Sequence, residues 1–176
     1  MFRNASKPLT TSDEVYEYAL SLLDRREHGE KELVQKLRRR CSSVALVRET
    51  VARLEENDLL NEERYARRVF DSWRGRKVYG RLHLQAELLK KQVDEACIPV
   101  ILALLSEEEE KQRVQAAWRQ ISGRRDKKYD CSTEKGVAAL VRYFSARGFG
   151  PAMIRVGLAL AKEEAGAALQ TDSFRE

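Results

Sequence analysis

The sequence predicts an all-α fold: an elongated, curved tandem array of three three-helix repeats. Three observations carry this. The 176 residues include only nine Gly and three Pro, too few for a sandwich that needs a turn every ~8–12 residues, while Leu, Ala, Glu, Lys and Arg favour helix. Apolar residues recur at i, i+3 and i+4 along most of the chain. The pattern also repeats. A shift of 51 residues lays Gly29 on Gly80, Leu33 on Leu84, Leu37 on Leu88, Val47 on Ile98, Val51 on Leu102 and Leu54 on Leu105. A further shift of 56 carries these to Gly136, Leu140, Phe144, Ile154, Leu158 and Ala161. Repeats of this kind contact mainly their neighbours and build long, curved binding surfaces.

The elements follow in order. Residues 1–11 read as a disordered arm without periodicity, containing Pro8. Repeat 1 spans 12–60 and opens on the capping box Thr11-x-x-Glu14. Its stripes are Val15, Ala19, Leu22 and Leu23; Leu33 and Leu37; then Val44, Val47, Val51 and Leu54. Repeat 2 spans 61–105, with Asn61 placed to cap and Glu62 and Glu63 suited to a helix N-terminus. Its stripes are Tyr65, Val69, Phe70 and Trp73; Leu84 and Leu88; then Ile98, Ile101, Leu102 and Leu105. Repeat 3 spans 106–163. It opens on a second capping box, Ser106-x-x-Glu109, and carries a long basic loop at 123–133. Its stripes are Val114, Ala117, Trp118 and Ile121; Val137, Leu140, Val141 and Phe144; then Ile154 and Leu158, after Gly150-Pro151 as N-cap and first helical residue. Residues 164–176 read as a C-terminal tail. That makes nine helices, most about three turns long and dependent on packing against one another. The shared glycine is expected to open the second helix of each repeat, where a close approach tolerates no side chain.

Composition bounds the function. The chain is 43 % hydrophobic and 35 % charged, with net charge +5, so it holds a core and tolerates a polyanionic partner. The longest uncharged apolar stretch, 100–105, is far short of the ~20 residues that span a bilayer, and no signal-peptide pattern opens the chain. A cytoplasmic protein with no membrane partner is expected. The three cysteines, Cys41, Cys97 and Cys131, form no CxxC pair, and His28 and His83 are the only histidines. No metal site and no cofactor are expected. P-loop, GxGxxG, HExxH and GxSxG motifs are all absent. His28 reads as a capping or packing residue, His83 as an exposed one, and Trp73 and Trp118 as core. The chain reads as a binding protein and not an enzyme.

Charge is unevenly placed. Residues 64–91 carry nine basic side chains (Arg64, Arg67, Arg68, Arg74, Arg76, Lys77, Arg81, Lys90, Lys91) against Asp71 and Glu87, a net +7. A second cluster is Arg124, Arg125, Lys127 and Lys128. These clusters suit phosphates or an acidic protein surface, and Tyr79 and Tyr129 are placed to stack on bases; the alternative is an ordinary solvated helix face. Arg38, Arg39 and Arg40 close a helix, and Glu107 to Glu110 open one, as the helix dipole favours.

Four strings resemble the RecX family: YALSLLDRREHGEKELVQKL (18–37), LEENDLLNEERYARR (54–68), YGRLHLQAELLKKQVD (79–94) and YFSARGFGPAMI (143–154). They lie in order over residues 12–163, and the three-fold repeat agrees with that family's architecture. The resemblance implies a regulator of the RecA recombinase that lies in the groove of the RecA–single-stranded DNA filament and restrains ATP hydrolysis, filament extension and strand exchange. Single-stranded DNA is then met directly or through the filament, and a monomer suits a groove binder. The basic residues of 64–91 with Tyr79, and the loop residues Arg124, Arg125, Lys127 and Lys128, are the expected contacts. A stand-alone DNA-binding module and a helical scaffold for another protein remain alternatives. The sequence departs from the family at four positions. Gly29 replaces the usual Ser. Cys41 and Gln92 stand where the third repeat has Gly148, losing the residue best suited to positive φ. Pro99 is expected to kink or shorten its helix.

Overall fold

The computed structural model describes residues 7–122 and 127–172, the side chains of 127 and 167–172 excepted. It is helical throughout, with no strand among the described residues. The helices are α1 (Ser12–Arg25), α2 (Glu30–Arg38), α3 (Val44–Glu56), α4 (Glu62–Arg74), α5 (Arg81–Lys90), α6 (Cys97–Ala103), α7 (Glu107–Ser122), α8 (Glu134–Ala146) and α9 (Pro151–Asp172), with a 3₁₀ turn at Lys127–Tyr129. They form three successive groups of three. Residue contacts gather into two compact units, one built from the chain up to Val69 with Leu88–Pro99, the other from Phe70–Glu87 with the chain from Val100 onward.

In the first unit α1, α2 and α3 enclose Val15, Ala19, Leu22, Leu33, Leu37, Val47, Val51 and Leu54. These are residues of the apolar stripes. The capping box at α1 is complete: Glu14 N–H donates to Thr11 Oγ1 and Thr11 N–H to the Glu14 carboxylate, both at 3.3 Å. Between α1 and α2 lies a polar knot. Arg26 reaches the Glu32 carboxylate with two nitrogens, and Lys36 Nζ lies 2.9 Å from it. Burial alone would raise the Glu32 pKa, but these hydrogen bonds outweigh it and bring it down to about 2. His28, 3 % exposed, packs beside the knot. Lys36 has only protons to offer, so His28 Nε2 accepts from it at 2.7 Å and Nδ1–H donates to the Arg26 carbonyl at 2.8 Å. The ring is neutral, and burial with the neighbouring cations holds its pKa below the usual value.

The N-terminus of α2 shows the device that organises the fold. Gly29 is the N-cap and has no side chain to offer the free amides. Glu62, the first residue of α4, supplies the acceptor instead: one oxygen takes Glu30 N–H at 2.9 Å, the other Asp94 N–H at 2.8 Å. The glycine is needed because α4 passes close. A Cβ there would lie 2.8 Å from the Tyr65 ring.

The second unit repeats the device. Gly80 precedes α5, and Glu110 of α7, 5 % exposed, accepts Arg81 N–H at 2.8 Å and Arg81 Nε–H at 3.4 Å. A Cβ on Gly80 would meet the Gly148 carbonyl at 2.6 Å, because Gly80 and Leu82 N–H donate to Arg147 and Gly148 carbonyls. Around this junction pack Val114, Ala117, Ile121, Leu140, Phe144, Phe149, Met153 and Ala161.

Local expectations are corrected at several points. Gly136 does not open α8 but lies two residues inside it; Thr133 is the N-cap and accepts Gly136 N–H with its own hydroxyl. Gly136 is bare because the Asp130 carbonyl passes there. Ser106 does cap α7, accepting from Glu109 N–H, but the Glu109 carboxylate turns to Arg74 and Arg113 and leaves the capping box half-formed. Gln92 keeps the left-handed turn without glycine (φ 59°), as Gly148 does (φ 74°). Cys41 closes differently, its N–H returning to the Leu37 carbonyl. Pro99 falls in the first turn of α6, where no amide is needed, so it does not kink the helix. That helix has seven residues against thirteen in α3.

Two outcomes follow from this packing. Gly80→Ala drives a methyl into backbone and is expected to cost roughly 1–3 kcal/mol, a loss of several degrees in Tm. Gly29→Ala meets only side chains, the Tyr65 ring and, at 3.4 Å, the Glu62 carboxylate, and costs less; equal losses would contradict the packing. His28 is neutral in the fold, so its stabilisation is complete above the unfolded pKa near 6.5 and is lost as pH falls through that value toward the lower folded one. Tm measured from pH 7 to 5 is expected to fall more steeply for the native chain than for His28→Gln.

Candidate docking surface

The structure sorts the nine cations of 64–91 by what they hold. In the first unit, Arg64 is committed to the fold. Its Nε–H donates to Glu27 at 2.7 Å and its remaining nitrogens to the Asp58 and Leu59 carbonyls and the Asp58 carboxylate. Arg67 pairs with Glu63 one turn back at 2.8 Å, an exposed contact of about 0.3–0.5 kcal/mol. Arg68, Lys90 and Lys91 are exposed, with no side-chain partner among the described residues.

In the second unit, Arg81 is half-buried. Besides Glu110 it donates to the carbonyls of Leu102 and Leu105, closing the C-terminal end of α6. Arg74 makes a two-pronged pair with Glu109 (3.1 and 2.9 Å) yet stays 56 % exposed. Arg76 and Lys77, just past α4, are exposed and unpaired among the described residues. Tyr79 is half-buried with its ring on His83, 4.1 Å between centroids. His83 is therefore not simply exposed: the buried Trp73 donates its indole N–H to His83 Nδ1 at 3.0 Å. Trp118 is half-buried and donates to Glu164. Lys128 lies 5.3 Å from the Tyr129 ring centre, and Tyr129 meets Tyr143 edge-on. Arg124, Arg125 and the Lys127 side chain lie outside the described residues.

Arg113 is a residue that no motif announced. It is 4 % exposed, yet it donates to the Arg74 and Arg76 carbonyls at 2.8 and 2.9 Å, shares the Glu109 carboxylate, and stacks 4.3 Å over Trp73. It thus caps the end of α4 and fixes the segment that presents Arg76 and Lys77. Burial pushes the Glu109 carboxyl up, but hydrogen bonds from Arg74 and Arg113 prevail and hold it below the usual range. Arg74, Lys77, Glu108, Glu109 and Gln112 border a cleft of about 510 Å³ beside these groups. The available signal for Arg113 and Glu110 was their position: both fall on the row that continues through Val114, Ala117 and Ile121, where charge is buried.

Among the described residues no cluster of His, Cys, Asp and Glu is arranged to hold a metal ion, and no helix is long and apolar enough to cross a membrane.

Residues 16–54, within α1–α3, match the family described as "RecX, first three-helix domain". The chain is 33 % identical over 150 residues to the regulatory protein RecX of Pseudomonas entomophila, covering 85 % of this chain and 92 % of that protein. Similarity to the RecX of Chlorobium phaeobacteroides is 33 % over 94 residues, 53 % of this chain and 62 % of that one. For the RecX of Pseudomonas fluorescens it is 39 % over 84 residues, 48 % and 54 %. The chain thus spans only between half and two thirds of those two relatives. In fold it is similar to the crystal structure of RecX from Lactobacillus salivarius, with TM-score 0.76 at 18 % identity, covering 86 % of this chain and 96 % of that one. A second crystal structure, of regulatory protein RecX, gives 0.70 at 15 %, covering 82 % and 71 %. With a relative of this identity aligned over nearly its whole length, the chain belongs to the RecX family.

Proposed function

We propose that the protein binds the RecA recombinase filament on single-stranded DNA, docks in its groove, and restrains ATP hydrolysis, filament extension and strand exchange. The observation that carries this is the set of exposed cations in 64–91 that have no side-chain partner among the described residues: Arg68, Arg76, Lys77, Lys90 and Lys91. Cations without internal partners are free to meet carboxylates or phosphates, and the relatives' description as regulatory proteins accords with a protein target. The effect follows from binding alone. A protein that prefers one filament state shifts the population toward it by the difference in its affinities, so no bond-making residue is required of this chain. Arg74 contributes where a partner's anion competes with Glu109, and Lys128 with the neighbouring loop forms a second contact.

The test is RecA ATPase on single-stranded DNA. Stoichiometric protein is expected to lower the rate; an unchanged rate contradicts the proposal. Steep salt-dependent DNA binding with no response from RecA would instead favour a stand-alone DNA-binding module. The sorting of cations predicts a split between variants. Arg76→Glu with Lys77→Glu is expected to weaken filament binding by about tenfold, ~1.4 kcal/mol, with Tm unchanged. Arg81→Ala is expected to lower stability by roughly 2 kcal/mol, since it strips the Leu102 and Leu105 carbonyls of their donor and leaves the Glu110 carboxylate with the backbone amide alone.

A further inference from the structure

The first unit contains a cavity of about 380 Å³ whose character is opposite to the basic segment. Its apolar lining comes from Leu20 and Leu23 of α1 and Leu59 of the turn before α4. Leu59 is 41 % exposed. The turn that presents it is well fixed, with Leu59 N–H on the Leu54 carbonyl, Asp58 at φ 52°, and Asn61 Nδ2–H donating to the Asp58 carboxylate at 2.9 Å. The rim carries three acids, Asp24, Glu27 and Asp58. Arg64 answers Glu27 and Asp58 from one wall. Asp24 is exposed with no side-chain partner among the described residues. His28, buried and also part of the lining, is neutral.

A phosphate backbone is repelled by such a rim, and a purely apolar group would leave Asp24 unanswered. We propose that the cavity receives an arginine or lysine side chain from the surface of a partner protein, its aliphatic stem on the leucines and its charged head at Asp24 and Glu27. Long basic side chains bury their stems in this way, and arginines seated in pockets are frequent anchors of protein interfaces. The inference rests on the reading that the partner is a protein filament. It adds that the partner's surface carries a basic anchor as well as the acids or phosphates that meet the cations.

The full chain and its variants Asp24→Lys, Asp24→Asn and Leu59→Ser are compared for binding to the RecA–single-stranded DNA filament, to bare single-stranded DNA, and for self-association by sedimentation. All three changes lie on exposed residues, so Tm is expected to stay within about 2 °C. Filament binding is expected to weaken by about fivefold or more for Asp24→Lys and Leu59→Ser and by less for Asp24→Asn, with bare DNA binding unchanged or, for Asp24→Lys, tighter. Unchanged filament binding overturns the inference and leaves the functional reading intact. So does self-association of the native chain that the variants abolish, since the occupant is then a second copy. Loss of bare DNA binding in parallel overturns it too. A native chain that does not bind the filament overturns both.

Discussion

A helix that begins at a glycine leaves its first amides without a capping side chain. Helices α2, α5 and α9 begin that way; α9 opens on Pro151, which has no amide hydrogen, so the need falls on α2 and α5. The acceptor comes from about thirty residues further along: Glu62 for α2 and Glu110 for α5. In each case the carboxylate sits in the first turn of the next group's opening helix. The bond is charge-assisted and lies at the positive end of a helix dipole, so each is worth roughly 1.5–3 kcal/mol. The same geometry explains why the glycines carry no side chain. Tyr65 and the Gly148 carbonyl stand where a Cβ would go. In the third group Thr133 supplies its own hydroxyl to the helix it opens.

Much of the rest follows from those carboxylates. Glu110 also orients Arg81, whose guanidinium closes the carbonyls at the end of α6. One turn further along α7, Arg113 closes the carbonyls at the end of α4 and shares Glu109 with Arg74. The start of α5 and the ends of α4 and α6 are thus satisfied by charged side chains. This divides the basic segment. Arg64 and Arg81 are structural, Arg67 and Arg74 are paired but exposed, and five cations remain for a partner. The net +7 of residues 64–91 overstates the charge available for docking. It also conceals a cavity of the opposite sign in the first unit, where Asp24 has no counterpart among the described residues.

The repeat was legible in the sequence because it is written in spacing. Leucines at fixed offsets from Gly29 and Gly80 report the same buried face, and those faces are the observed core. Local caps at Thr11 and Ser106 use residues three apart, the range over which sequence patterns speak. The cross-helix caps were not legible. Glu62 and Glu110 look like acids favoured by their own helix dipole, and nothing local says that their oxygens serve amides of residues 30 and 81. Arg81 and Arg76 are alike as letters in a basic run; only the position of the Leu102 and Leu105 carbonyls makes one structural. Gly136 misled for a related reason: the repeat preserved a small residue, but the close neighbour is Asp130 and the helix starts earlier.

At α2 and at α5 a carboxylate from a distant helix accepts the first amide of a glycine-opened helix. First-turn amides ordinarily exchange with solvent almost freely. Amide hydrogen exchange at Arg81, read by nuclear magnetic resonance in the native chain and in Glu110→Ala, tests this directly. Clear protection is expected at Arg81 in the native chain and its loss in the variant, while the variant's core amides, such as that of Leu88, stay protected. Exchange at Arg81 as fast as at an open helix end in the native chain, or unaltered in Glu110→Ala, would contradict it.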